Sequence, residues 1–156
     1  MPEVENRAMT ATYAHVTAVR LDLGRNIDMW SSALTVFALI ILICDLTKAL
    51  TIQLILIASI LIGSTQKYLA LRVAFDAQIF AKWAKYWSKS GEASVESTMA
   101  AFDQATGVNG QTAKSGHTRD IFSRIQGAGK LALRQSVAFA IQIILWLGAA
   151  IVATLT

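Results

Sequence analysis

The chain has 156 residues, of which 54% are hydrophobic and only 15% charged, with a mean hydropathy of +0.49, whereas soluble domains carry roughly 25% charged residues. A single cysteine, Cys44, excludes an intramolecular disulfide framework and a cysteine metal site. The formal charge of +4 has no basic arm attached to it, so it points to membrane topology and anionic lipid and not to nucleic acid.

Residues 1–28 begin MPEVENR, too acidic for a cleavable leader, and the first long apolar run starts only at Met29. Within them Met9, Tyr13, Val16, Val19, Leu23 and Ile27 recur at spacings of three and four, which predicts an amphipathic helix packing this stripe on its neighbours, with the lipid surface as the alternative. Gly24 is a candidate kink, and Trp30 is expected at interfacial depth.

Residues 29–66 carry only two charges, Asp45 and Lys48. One helix over this length would be about 57 Å long and would hold both ions at its centre, where they are costly. A hairpin with arms 29–44 and 49–66 puts them in the turn, and each arm then spans roughly 24–27 Å, close to a hydrocarbon core of about 30 Å. Ser31, Ser32, Thr35, Gln53 and Ser59 are the polar residues inside these arms.

No breaker follows the second arm, so its helix is expected to run on into a cytosolic segment, 67–134. There Phe75, Ile79, Phe80, Trp83 and Trp87 form a heavy aromatic stripe, predicted to dock a partner because the next helix, Ser94 to Thr106, is too short to cover it. Gly91 is the expected stop for the long helix. Residues 107–117 (GVNGQTAKSGH) form the one clear loop, expected to be flexible, and Thr118 is the expected cap of the next helix. That helix continues past Gly127 and Gly129 into an uncharged run, 135–156, the strongest single span. In it Gln142 needs a partner in hydrocarbon, and Gly148, Ala149 and Ala153 form a small-residue face suited to close helix approach.

The fold class is therefore an all-α integral membrane protein with three transmembrane helices, a hairpin plus a C-terminal span, and a cytosolic helical extension. Of the fourteen basic residues, three precede the first arm, one lies in the turn and ten lie between residues 67 and 134. The positive-inside rule then places the N-terminus and residues 67–134 in the cytoplasm and the C-terminus outside a bacterial-type plasma (inner) membrane. Arg25, Lys67, Arg72, Lys130 and Arg134 are the expected lipid-headgroup contacts.

Chemistry is not spelled out. AKSGHT lacks the glycine spacing and the preceding strand of a phosphate loop. His15 and His117 lie far apart without ligand spacing, and Asp76, Asp103 and Asp120 are single carboxylates, read as solvated or as partners of Arg72 or Arg119. No catalytic residue, cofactor or metal site is expected, and the chain is not read as an enzyme. In layout alone, a short hairpin whose second helix extends into the cytosol resembles the two-span effector domains that open membranes in bacterial immune systems, and the third span departs from that pattern. Two functions stay open: a structural, assembly or docking subunit of a membrane complex, oligomeric with itself or with a larger assembly, and an oligomeric pore or channel former. The first is preferred because the spans lack a repeated polar stripe.

Overall fold

A computed structural model describes residues 2–88, 94–105 and 120–155. Among them every element is an α-helix: α1 (Pro2–Asp22), α2 (Gly24–Ile43), α3 (Leu50–Trp87), α4 (Val95–Ala105) and α5 (Ile121–Leu155). Three stretches, within Arg7–Ile43, Leu50–Trp87 and Ile121–Leu155, are long and apolar enough to cross a membrane. Gly91, the loop 107–117 with His117 and Lys114, Thr118 and Arg119 lie outside the described residues. The chain divides into two compact units, residues 21–75 with 129–156 and residues 1–20 with 76–128.

In the first unit, α2 and α5 run parallel and α3 runs antiparallel to both. Gln135 bonds to Gly24 and Gln142 to Ser31, each pair 111 residues apart, as a parallel register requires. Against α3 the order reverses, with Asp28 paired to Lys67 and Thr35 set beside Gly63. The residues that α3 buries here are Ile52, Leu56, Ser59, Gly63, Gln66, Ala70 and Val73, alternating four and three apart. This period of 3.5 is the seam of a left-handed helix packing. On α5 the buried positions Gln135, Gln142 and Ala149 recur every seven residues.

The turn between α2 and α3 explains why these helices stop where they do. Asp45 takes a left-handed backbone, φ 51°. Its N–H donates to the Leu42 carbonyl and that of Leu46 to the Ile41 carbonyl, closing the last turn of α2 in a Schellman arrangement. The Asp45 carboxylate pairs with Lys48, both well exposed, and Gln53 donates from its side chain to the Thr47 carbonyl at 2.9 Å. Both charges therefore lie in the turn, as the hairpin argument requires.

The second unit gathers around aromatic rings on the C-terminal part of α3. Ser94 caps α4 by accepting from the Ser97 N–H at 3.2 Å. The helix then buries Met99 and Asp103. Two expectations fail in this unit. The stripe Met9, Tyr13, Val16 and Val19 faces outward, with one edge contact of Tyr13 to Phe122 at 5.5 Å, and α1 buries Ala11, Ala14 and Ala18 instead. Both stripes have helical spacing; alanine wins because its small side chain lets helices approach closely. The aromatic stripe is also not free. Phe80, Trp83 and Trp87 are 3%, 5% and 2% exposed, covered by the protein's own helices, and only Phe75 stands out among the five.

Candidate functional site

The most built-up polar region lies inside the first unit, where the three helices meet. Its centre is Gln142 on α5, fully buried and fully bonded. Ser31 Oγ donates to Gln142 Oε1 at 2.5 Å. The Gln142 amide nitrogen donates to Thr35 Oγ1 at 3.0 Å and to the Ser31 carbonyl at 3.3 Å, and Thr35 Oγ1 donates to that same carbonyl at 2.8 Å. Room for this cluster comes from α3: a Cβ on Gly63 would collide with Thr35 Oγ1 and stand 2.9 Å from the Gln142 nitrogen. Glycine is present because the neighbouring helix approaches its backbone, not because its dihedrals are unusual.

One heptad along, Gln135 repeats the arrangement with less satisfaction. Its amide nitrogen donates to the Gly24 carbonyl at 2.8 Å while its Oε1 has no protein partner. A Cβ on Gly24 would sit 2.8 Å from that oxygen and 3.4 Å from Val73 Cγ1, so the role of Gly24 is close approach, while the helix break itself falls on Leu23. Between the two glutamine levels, Lys67 Nζ bonds Asp28 Oδ2 at 2.8 Å and Ser32 Oγ at 3.3 Å. Gln66, beside it, is fully buried with neither amide atom bonded to protein, and Ser59 is buried with a free hydroxyl. Beyond Ser59 the seam ends against an apolar cluster of Ala38, Ile52, Leu56 and Ala149, with Trp146 and Val152 packed against it.

The expected helix-packing set thus divides. Gln142 and Ala149 lie in the seam, but a Cβ on Gly148 would meet nothing within 4 Å and Ala153 is exposed. Gly148 lies about 240° around the helix from Gln142, at 100° per residue, whereas Ala149 returns to the same face. Gly148→Leu is accordingly expected to leave the unfolding midpoint of the monomer unchanged, while Gln142→Leu, which strips partners from Ser31 and Thr35, lowers stability by about 1–3 kcal/mol. Detergent unfolding curves of the two variants check the contrast.

Of the expected lipid-headgroup residues, Arg25, Arg72, Lys130 and Arg134 are exposed, and Lys67 is committed to Asp28. Sequence reasoning missed Gly63, Gln66 and Gln135, and read Gly24 as a kink and not as a point of close approach. For the two glutamines a signal was present as strict seven-residue spacing, Ser59 to Gln66 on α3 and Gln135 to Gln142 to Ala149 on α5.

The second unit holds one further cluster. Arg124 NH2 donates to both oxygens of Asp103 at 2.6 Å, and the guanidinium lies 5.7 Å from the Trp83 ring and 5.8 Å from that of Phe102. Asp103 is therefore neither solvated nor paired with Arg72. The predicted Arg119 lies outside the described residues, and the guanidinium that reaches Asp103 is that of Arg124, set over two rings. Among the described residues no three His, Cys, Asp or Glu side chains come together. Comparison with protein-family models, with curated proteins and with solved structures finds no match.

Proposed function

We propose that this chain is a non-enzymatic integral membrane protein of three spans, acting as a structural, assembly or docking subunit of a membrane complex. One observation carries the reading: polar groups of the membrane-length helices turn inward onto each other, while their outer surface is bulky and apolar. Val36, Phe37, Ile40, Leu54, Ile57, Leu61, Ile144 and Ile151 are all exposed. A soluble protein rarely exposes so large an apolar surface, and lipid or a membrane partner is what such a surface suits. The side chains in the seam hold helices in register, a role in which interhelical hydrogen bonds contribute about 0.6–2 kcal/mol each in a bilayer.

The pore former is the alternative. It needs a continuous polar path, and the Leu56 cluster closes the seam of a single copy. Partners in the proposed role are lipid and either further copies of the chain or a larger complex, which a native mass measurement in detergent separates. Purified protein in liposomes is expected to release no dye, and clear conductance would promote the pore former.

The proposed orientation follows from charge, with the N-terminus and residues 67–134 cytoplasmic at a bacterial-type inner membrane and the C-terminus outside. It is helped by the parallel run of α2 and α5, which sets the turn at Asp45 and the end of α5 at the same end of their unit. A reporter at Gly110 is expected to read cytoplasmic and one after Thr156 periplasmic. Finding both on one side would remove the three-span reading.

A further inference from the structure

We propose that the polar half of the seam is a water-binding site, in which Gln66, Gln135 and Asp28 hold a small cluster of internal water molecules that ends at the bonded Gln142 cluster. The argument starts from unmet hydrogen-bonding capacity. Gln66 Oε1 and Nε2, Gln135 Oε1 and Asp28 Oδ1 are all buried with no protein partner. Gln66 and Gln135 are themselves 0% and 1% exposed. Gln66 and Asp28 fall at one level of the bundle, since Asp28 pairs with Lys67, the neighbour of Gln66. Gln135 sits beside Gly24, one helical turn from Asp28, so these groups lie within about 10 Å along the axis.

Such groups are not left bare in a folded interior, because each costs its full desolvation. The sequence also leaves space for an occupant. On the buried face of α3, away from Gly63, whose space Thr35 fills, the residue one turn from Gln66 is the small Ala70.

The chemistry selects water over a cation. Whichever way the Gln66 amide is turned, it presents an N–H donor, which a cation cannot accept. Asp28 is already neutralised by Lys67, so no net negative charge remains to offset the dehydration of an ion. Water both donates and accepts, and a buried water typically makes about three hydrogen bonds. Lys67 is 52% exposed, so the Asp28 end of the cluster adjoins the surface, while the other end is closed by the bonded Gln142, Ser31 and Thr35, with the apolar cluster around Leu56 beyond them. The site is a dead end and not a conduit.

Gln142 supplies a control within the same protein, since both its amide atoms are bonded to Ser31 and Thr35. In full-length nitrogen-15-labelled protein in lipid nanodiscs, the side-chain amide protons of Gln66 and Gln135 are expected to show magnetisation transfer from water, and those of Gln142 none. Gln66→Met, close in shape and apolar, is expected to abolish the transfer at Gln135 while the Gln142 resonances stay in place. If that variant does not fold, the wild-type comparison decides alone. Absence of transfer at Gln66 overturns the proposal. So does a shift of the Gln66 resonance when potassium is exchanged for sodium or for a bulky organic cation, because it would assign these oxygens to an ion.

Discussion

Gly63→Ala is expected to destabilise the three-helix seam by about 2–4 kcal/mol, an unusually large loss for the addition of one methyl group. The added carbon would occupy the space of Thr35 Oγ1 and approach the Gln142 nitrogen to 2.9 Å. Either α3 moves away, which opens the packing along its heptad, or Thr35 rotates and abandons its hydrogen bonds. Overpacking costs typically 1–3 kcal/mol, and a buried amide losing an acceptor costs about 1–3 more. Unfolding in mixed detergent micelles, followed by helix content, measures the loss. The double variant Gly63→Ala with Thr35→Ala is expected to recover part of it, with a coupling of at least about 1 kcal/mol. An unchanged midpoint for Gly63→Ala would show that α3 does not lie against Thr35. Gly24→Ala is expected to be milder, because the closest atom there is the end of the Gln135 side chain, which can turn aside.

Trp83→Ala carries the largest expected effect in the other unit, about 3–5 kcal/mol, as for a large aromatic removed from a packed core. The Trp83 ring stacks on Trp87 at 5.5 Å, meets Phe80 and Phe102 edge-on at 5.6 and 5.5 Å, and lies under Arg124. Its loss also loosens the guanidinium that neutralises Asp103, and a buried carboxylate without its partner is costly in its own right. Hydrogen exchange should therefore accelerate across α4 and the N-terminal turns of α5, while amides near Gln142 keep their protection. A variant that stays protected throughout and merely loses a bound protein would restore the docking role expected of this stripe from sequence.

Much of the layout follows from local chemistry. The two charges at Asp45 and Lys48 interrupt an apolar run, and no chain segment hides two ions in hydrocarbon when a turn can expose them. The same reasoning finds α3 running unbroken to Trp87, since no proline or glycine interrupts residues 64–87, and finds the short helix after Ser94 and the continuation of α5 past Gly127 and Gly129. Gln142 stands out because a lone amide in an apolar span must find a partner.

Tertiary packing decided which of several equivalent faces turns inward. Helical spacing in residues 9–19 admits both the large stripe through Tyr13 and the alanine stripe through Ala14, and only the proximity of other helices selects the alanines. The same holds for Ala149 over Gly148, and for the burial of Trp83, where a short helix covers the ring with the help of Arg124, a residue forty-one positions further along the chain. Gly63 is the clearest case. Nothing in its local sequence marks it, because its importance lies in what it lacks, and the atom that needs the space belongs to a different helix.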